Sequence, residues 1–539
     1  MTKLQEALMR LDLFTAQKMR EQNIPAIQVG VTDDNQTLFL ASDGVADVAA
    51  HLPLIGSHLF QIGSIGKSFT AIAILQEVEA GKLDLHAPVT AYLPWFDVRS
   101  QYEPITVHHL LTHSAGIIGG MDFTGEHLYE VYDLRETQTA SAPGTYFHYS
   151  NVGYKALTLI LETLNKQPYG DIIQERILNP LEMTQTLPVI THRARGLMAV
   201  GYTHYYDDRP APPGRPLAPA PWFEYGYGDG SIVSNAEDMM RFMRMLIHGG
   251  QTDSGDRLIS EEAFMQMVTP VVEAFGTHHY GYGLILSTFD EATHYGHGGS
   301  MPGFSAIMLV DADNRLGLIV LANHGEAEIL SIAENGLKLL RAAVHEQDIP
   351  TVPIVAEPSL IENTADYTNT YTRDDGATLT FFAEGRRLYL QLKDADLQLF
   401  TYNKDHFVVA HPALSGDGFA FKRDESGQVV ELFHGDAWYI TPAYSGATRF
   451  DVPNAWHTYT GRYRAPNIWL PTFKVIIRKG QLLLVYPAGF TEMLINMGDH
   501  TFRPGTDEHS PERLHFDTFI DGKAARITFS GASYYRFFT

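Results

Sequence analysis

The sequence predicts an α+β chain in three parts: an antiparallel sheet flanked by helices with a helical subdomain over residues 1–348, then two small antiparallel β-barrels over 360–445 and 455–539. Three observations point there. The 539 residues exceed what one core usually organises, about 250–300. Strand-like runs near the start return only after a long helical middle, the order expected of one sheet flanked by helices. Past a proline-bearing linker the pattern changes to short alternating strands, and that pattern occurs twice.

Residues 1–14 carry an amphipathic helical pattern with interspersed charge, without the uninterrupted apolar core of a secretory signal. Strands are expected at 26–31 and 37–40. From 64 to 80, Phe69, Ile72, Leu75 and Val78 recur at helical spacing, Ile74 and several alanines widen the apolar face, and Gly81 supplies a stop. That helix is expected to be buried. Strand character returns at 306–310 and 316–321, a closing helix is expected near 329–345, and the prolines of 349–358 mark a linker. Beyond it, Tyr367-Thr368-Asn369-Thr370-Tyr371 returns as Tyr459-Thr460-Gly461-Arg462-Tyr463. Likewise Arg387-Leu388-Tyr389-Leu390 returns as Gln481-Leu482-Leu483-Leu484, Phe407 as Phe502, and the turn Ser426-Gly427 as Asp521-Gly522. Each copy is long enough to close into a barrel and satisfy its own sheet edges. The proline-rich stretch 208–222 is too irregular for a helix and long for an idle connection; with the glycine-bearing turn 117–123 it is expected to border the cleft.

The chemistry is expected at the start of the buried helix. Ser64 and Lys67 stand three apart there, hence on one face. A serine hydroxyl attacks a carbonyl only once something removes its proton, and a neutral lysine is one of the few groups that can. A helix amino terminus would also favour negative charge developing on the Ser64 oxygen. Tyr149 and Asn151 are two apart, so an extended or turn segment presents both to one side, one suited to relay a proton and the other to hold an amide. His297, Gly298, Gly299 and Ser300 lie in a glycine-rich run ahead of a strand, where glycines mark close approach of another backbone. The alternative G-x-S-x-G elbow is not met, because Ile62 stands two before Ser64.

In this order, the S-x-x-K, Y-x-N and H-x-G segments resemble the serine β-lactamase and penicillin-binding-protein superfamily. The likeness extends to 83–89, 105–116 and 230–239, which resemble segments of its class C-like branch. The layout is similar to D-aminopeptidases of that superfamily, in which two lipocalin-like barrels follow a β-lactamase/transpeptidase-like domain and a barrel loop can reach the active site. The resemblance implies that Ser64 forms an acyl-enzyme, that Lys67 and Tyr149 share the proton transfers, and that Asn151 hydrogen-bonds Lys67 and the substrate amide. It further implies an oxyanion hole made by the backbone N–H groups of Ser64 and Ser300. His297 would take the place of the lysine in K-T-G members, with Gly298 and Gly299 letting the substrate lie along the strand. Which of Lys67 and Tyr149 is the base stays open at this point.

The histidine has a consequence of its own. Lysine carries a fixed charge suited to a substrate carboxylate, whereas a histidine of ordinary pKa, near 6.5, is mostly neutral at pH 7. Expectation therefore moves from penicillins and carboxy-terminal peptides towards esters, amides and amino-terminal peptide bonds. The favoured expectation is a serine hydrolase of D-aminopeptidase type. Its alternatives are a promiscuous carboxylesterase with weak β-lactamase activity and a non-catalytic acylated sensor.

Composition narrows the partners. With 39 basic against 63 acidic side chains the net charge is −24, which speaks against nucleic acid or an anionic membrane surface. There is no cysteine, so disulfides and thiolate metal sites are excluded. Among the 24 histidines, His108–His109 and His278–His279 are adjacent rather than four apart, and no H-E-x-x-H occurs; no metal and no other cofactor is expected. No apolar run approaches the roughly 20 residues that span a bilayer. The expected partner is a small-molecule or short-peptide substrate, with no nucleic acid and no membrane, a homo-oligomer being allowed. The expected location is the cytoplasm.

Overall fold

The computed structural model describes residues 1–120, 126–354 and 357–537; residues 121–123 of the turn expected at 117–123, and 355–356 of the linker, lie outside the described residues. The chain divides into two compact units. The first comprises Met1–Thr203, Ala218–Pro353 and Glu508–Pro511, the second His204–Leu217, Ile354–Asp507 and Glu512–Thr539.

The first unit is built on a nine-stranded sheet. Its strands are β1 (Ala26–Thr32), β2 (Thr37–Asp47), β3 (Leu52–Pro53), β4 (Val272–Ala274), β5 (His278–Tyr280), β6 (Ile285–Phe289), β7 (Ala292–Met301), β8 (Phe304–Asp311) and β9 (Leu316–Ala322). They lie in the order β3-β2-β1-β9-β8-β7-β6-β5-β4, every neighbour antiparallel. The main helices are α1 (Lys3–Gln22), α2 (Gly66–Glu79), α3 (Asn151–Asn165), α4 (Ala236–Ile247) and α5 (Leu330–Val344). On β9, Gly317 faces Met243 of α4 while Leu318 faces Gly336 of α5. Adjacent strand residues point to opposite faces, so α4 and α5 cover opposite sides of the sheet. Covered twice, β1, β8 and β9 are buried along their whole length, which is why they read as continuous apolar runs rather than alternating ones.

The expected helix at 64–80 begins differently. Gly63–Ile65 forms a single 3₁₀ turn, and α2 starts behind it. Every residue of α2 up to Leu75 is buried, so the helix is a central rod rather than an amphipathic cover. Two of its hydroxyls find acceptors inside: that of Ser68 donates to the Ile65 carbonyl at 2.7 Å and that of Thr70 to the Gly228 carbonyl at 2.6 Å, as buried polar groups require.

The second unit holds two closed eight-stranded barrels, between residues 369 and 440 and between 461 and 536. Each is sealed by pairing of its first and last strands, Thr372 with Ile440 and Tyr463 with Arg536. The first barrel's interior is filled by Tyr371, Phe381, Leu390, Leu399, Phe407 and Phe419, all buried. The repeat seen in the sequence is repeated in bonding. The Tyr371 hydroxyl donates to the Tyr367 carbonyl at 3.1 Å, and that of Tyr463 to the Tyr459 carbonyl at 2.7 Å. The proline-rich stretch divides: 204–217 belongs to this unit, where Asp207 pairs with Arg464 at 2.7 Å and Asp208 with Arg462 at 2.9 Å, while Ala218 onward belongs to the first. Among the described residues no helix is long and apolar enough to cross a membrane.

Candidate active site

Ser64 occupies the middle of the 3₁₀ turn, half-buried. Gly63 before it has φ +51°, a left-handed conformation that side chains disfavour, and a side chain there would press on the Ser300 backbone at 2.9 Å. Ser64 lies in a first turn, whose N–H groups lack an intrahelical acceptor. The turn and the backbone of β7 are thus brought together. The adjacent glycines of β7, Gly298 and Gly299, have different reasons to be glycine. A methyl on Gly299 would run into the Ile62 carbonyl, whereas Gly298 meets nothing nearer than Ile307, at 3.9 Å. Gly299→Ala is therefore expected to push the serine turn out of place and lower kcat about tenfold or more, with Gly298→Ala retaining the fold and a normal melting temperature; steady-state kinetics and thermal melts on the pair check this.

Lys67, fully buried, lies one turn on. Its Nζ donates to the Asn151 Oδ1 at 2.7 Å and to the main-chain carbonyl of Asp229 at 2.7 Å, and lies 3.0 Å from the Ser64 Oγ. Burial pulls its pKa down to about 7, Asp229 opposes this, and the charge of Lys155 adds to it. Asn151 is the first residue of α3 rather than part of a turn. Ser150 caps that helix, its hydroxyl accepting the Gly153 N–H at 3.1 Å, and so fixes where the amide points.

Tyr149 precedes the cap, near enough to Ser64 to hydrogen-bond its side chain, yet burial raises the phenol well above its ordinary range. It is held from behind by His113, whose ring centre is 4.2 Å away and whose Nδ1 accepts the Ser150 N–H at 2.9 Å. The Lys67 ammonium nitrogen stands 4.9 Å from the Tyr149 ring centre. Close by in the chain, the ring of His509, from the short segment that joins the first unit, stacks on Tyr146 with centres 3.4 Å apart.

His297 is buried, and its pKa is lowered to about 3 by burial and by Lys67. Its Nδ1 lies 2.6 Å from the Gly298 carbonyl, which can only accept, so Nδ1 carries the proton and Nε2 receives the Tyr280 hydroxyl at 3.0 Å. The imidazole is neutral and both its nitrogens are engaged within the protein.

The structure thus gathers Ser64 of the 3₁₀ turn, Lys67 of α2, Tyr149 and Asn151 at the start of α3, and His297, Gly298, Gly299 and Ser300 of β7. It adds groups that the sequence did not single out: the Asp229 carbonyl, Tyr280, His113, and the buried pair of Lys155 and Glu130. Asp229's carboxylate is engaged elsewhere, accepting from the Tyr225 hydroxyl at 2.8 and 2.7 Å. Among the described residues no group of three or more His, Cys, Asp or Glu is placed to hold a metal ion.

Known proteins are similar to this chain in sequence and fold. The chain is 28% identical to penicillin-binding protein 4* of Bacillus subtilis (strain 168) over 409 residues, covering 69% of this chain and 85% of that protein. The structure described as an octameric penicillin-binding protein homologue from Pyrococcus abyssi superposes with a TM-score of 0.58 at 25% identity, covering 80% of this chain and all of that one. A D-amino acid amidase from Ochrobactrum anthropi SV3, complexed with D-phenylalanine, shares the fold with a TM-score of 0.52 at 24% identity over 64% of this chain and 99% of its own. The family model described as Beta-lactamase matches residues 11–339, more than half of the chain, and the protein belongs to that family.

Proposed function

We propose that the protein is a serine hydrolase working through an acyl-enzyme on a small amide, peptide or ester, with release of an amino-terminal D-residue as the favoured reaction. The observation that supports this most is the set of oxygens around Lys67. The Asn151 and Asp229 carbonyls can only accept, so a neutral lysine spends both N–H bonds on them and turns its lone pair to the Ser64 hydroxyl. With a pKa near 7 that form is well populated at neutral pH, while the Tyr149 phenol stays protonated. Lys67 is then the base and Tyr149 the donor.

Lys67 takes the serine proton as Ser64 Oγ bonds to the substrate carbonyl carbon, and the oxyanion sits between the N–H groups of Ser64 and Ser300. Collapse breaks the bond to the leaving group, which receives a proton by way of Tyr149. Water then attacks the ester with Lys67 as base, and the acid leaves. The neutral, fully engaged His297 offers no cation for a substrate carboxylate, which favours esters, amides and amino-terminal peptide bonds over carboxy-terminal ones. Cytoplasmic work is part of this proposal, and so is a homo-oligomer, after the octameric Pyrococcus homologue.

The test is one panel on one preparation: D- and L-alanine p-nitroanilide, p-nitrophenyl butyrate and a chromogenic cephalosporin, on the wild type and Ser64→Ala. The D-anilide is expected to turn over fastest, and Ser64→Ala to lose about 10³-fold or more of the rate. A preference for the cephalosporin rejects the substrate assignment. Stable acylation of Ser64 without turnover of any substrate makes the protein a sensor, and full activity in Ser64→Ala removes that serine from the chemistry.

A further inference from the structure

In the second unit, a cavity of about 390 Å³ is lined by residues of both barrels, within the size range of small-molecule sites. Lys404, His406 and Lys422 reach it from the first barrel, Arg478 and Phe490 from the second, with Phe433 as an apolar wall. Its charge runs against that of the chain as a whole, which is −24. Among the described residues the one acid on the wall, Asp417, is engaged by Lys474 at 2.6 Å, and Lys422 lies 4.0 Å from Glu431. Arg478 donates Nη1 to the Gly435 carbonyl at 3.2 Å and sets its guanidinium 4.2 Å from the Phe433 ring centre. Among the described residues its Nε and Nη2 have no acceptor. The cavity is also shaped around His406: a methyl on Gly418 or Gly489, one from each barrel, would collide with that imidazole. Burial draws Arg478 down to about 10, against the pull of Asp417, Glu431 and Asp436, so it remains charged at neutral pH.

We propose that this inter-barrel cavity binds a small organic anion, a carboxylate on an aromatic-sized apolar body, with Arg478 taking the carboxylate and Phe433 and Phe490 the body. A guanidinium is weakly hydrated and its fork matches a carboxylate, so an anion supplies acceptors for the Nε and Nη2 of the half-buried Arg478. Phe433 and Phe490 favour an anion with a hydrophobic portion over one without.

Isothermal titration of the full chain with phenylacetate, 2-phenylethanol and inorganic phosphate tests this. Saturable binding of one phenylacetate is expected, with the alcohol and phosphate about tenfold weaker or more, and with Arg478→Gln weakening phenylacetate at least about tenfold. Lys404→Glu, at an exposed position, is expected to weaken it about threefold or more and keeps the test open if Arg478→Gln does not fold. The proposal is overturned by absence of saturable binding, by equal affinity for phosphate or phenylethanol, or by unchanged affinity in either variant. Phenylacetate bound at the serine site instead would leave both variants unaffected, so the outcome is independent of the hydrolase reading.

Discussion

Lys67→Arg is expected to lower kcat/KM by about 10³-fold, because a guanidinium keeps its protons at any working pH and leaves Ser64 without a base. The wild type is expected to show the complementary pH profile. Below about 7 the lysine is protonated and kcat/KM falls about tenfold per unit; above it the rate levels off. Stability carries the same signature with the opposite cost. The lysine's ordinary pKa is 10.5 and its folded value about 7, so between these the unfolded chain binds the extra proton and stability rises with pH across that window. Lys67→Met lacks that slope. A pH–rate profile with a p-nitrophenyl ester and urea melts at several pH values make the measurement. A rate independent of pH from 5 to 9, or an arginine variant within tenfold of wild type, would rule out Lys67 as the base.

Lys155→Met is expected to destabilise the fold by about 3–5 kcal/mol, since it takes the ammonium away from a buried carboxylate. Lys155 and Glu130 are 3% and 4% exposed at their side chains and meet as an ion pair beside the site. Neither charge has water to fall back on. Because Lys155 also holds down the pKa of Lys67, the surviving activity should move its pH inflection upward. The double variant Lys155→Met/Glu130→Gln is expected to recover most of the lost stability, as removing both charges removes the desolvation cost with the attraction. Urea denaturation of the three variants decides the matter; a single variant within about 1 kcal/mol of wild type contradicts a buried, unscreened pair.

What could be read from the sequence was what depends on short spacing. Ser64 and Lys67 are one helical turn apart, and Tyr149 and Asn151 flank a capping serine, so local geometry alone sets each pair on one side. The barrels were legible because their tyrosines, turns and strands recur in register. The Asp229 contact was not, since a main-chain carbonyl carries no residue signature; any side chain at 229 would offer it. Tyr280 and His297, or Lys155 and Glu130, meet only after the sheet and helices have assembled, and nothing in their own neighbourhoods announces a partner. The start of α2 shifted because Gly63, pressed against β7, tightens the first turn into a 3₁₀ conformation. The proline-rich stretch divided for a comparable reason: its aspartates find arginines more than 250 positions away.

The edges of the sheets bear on how the protein behaves when concentrated. Both barrels close on themselves, and the nine-stranded sheet ends in strands of two and three residues, Leu52–Pro53 and Val272–Ala274. Leu52–Pro53 pairs only with Val45 and Asp47, so Thr37–Asp43 of β2 is bonded along one side alone and forms the open rim of that sheet. A strand arriving from a neighbouring molecule in a crowded solution is therefore expected to dock along Thr37–Asp43, where a ladder stands uncopied, rather than on either barrel.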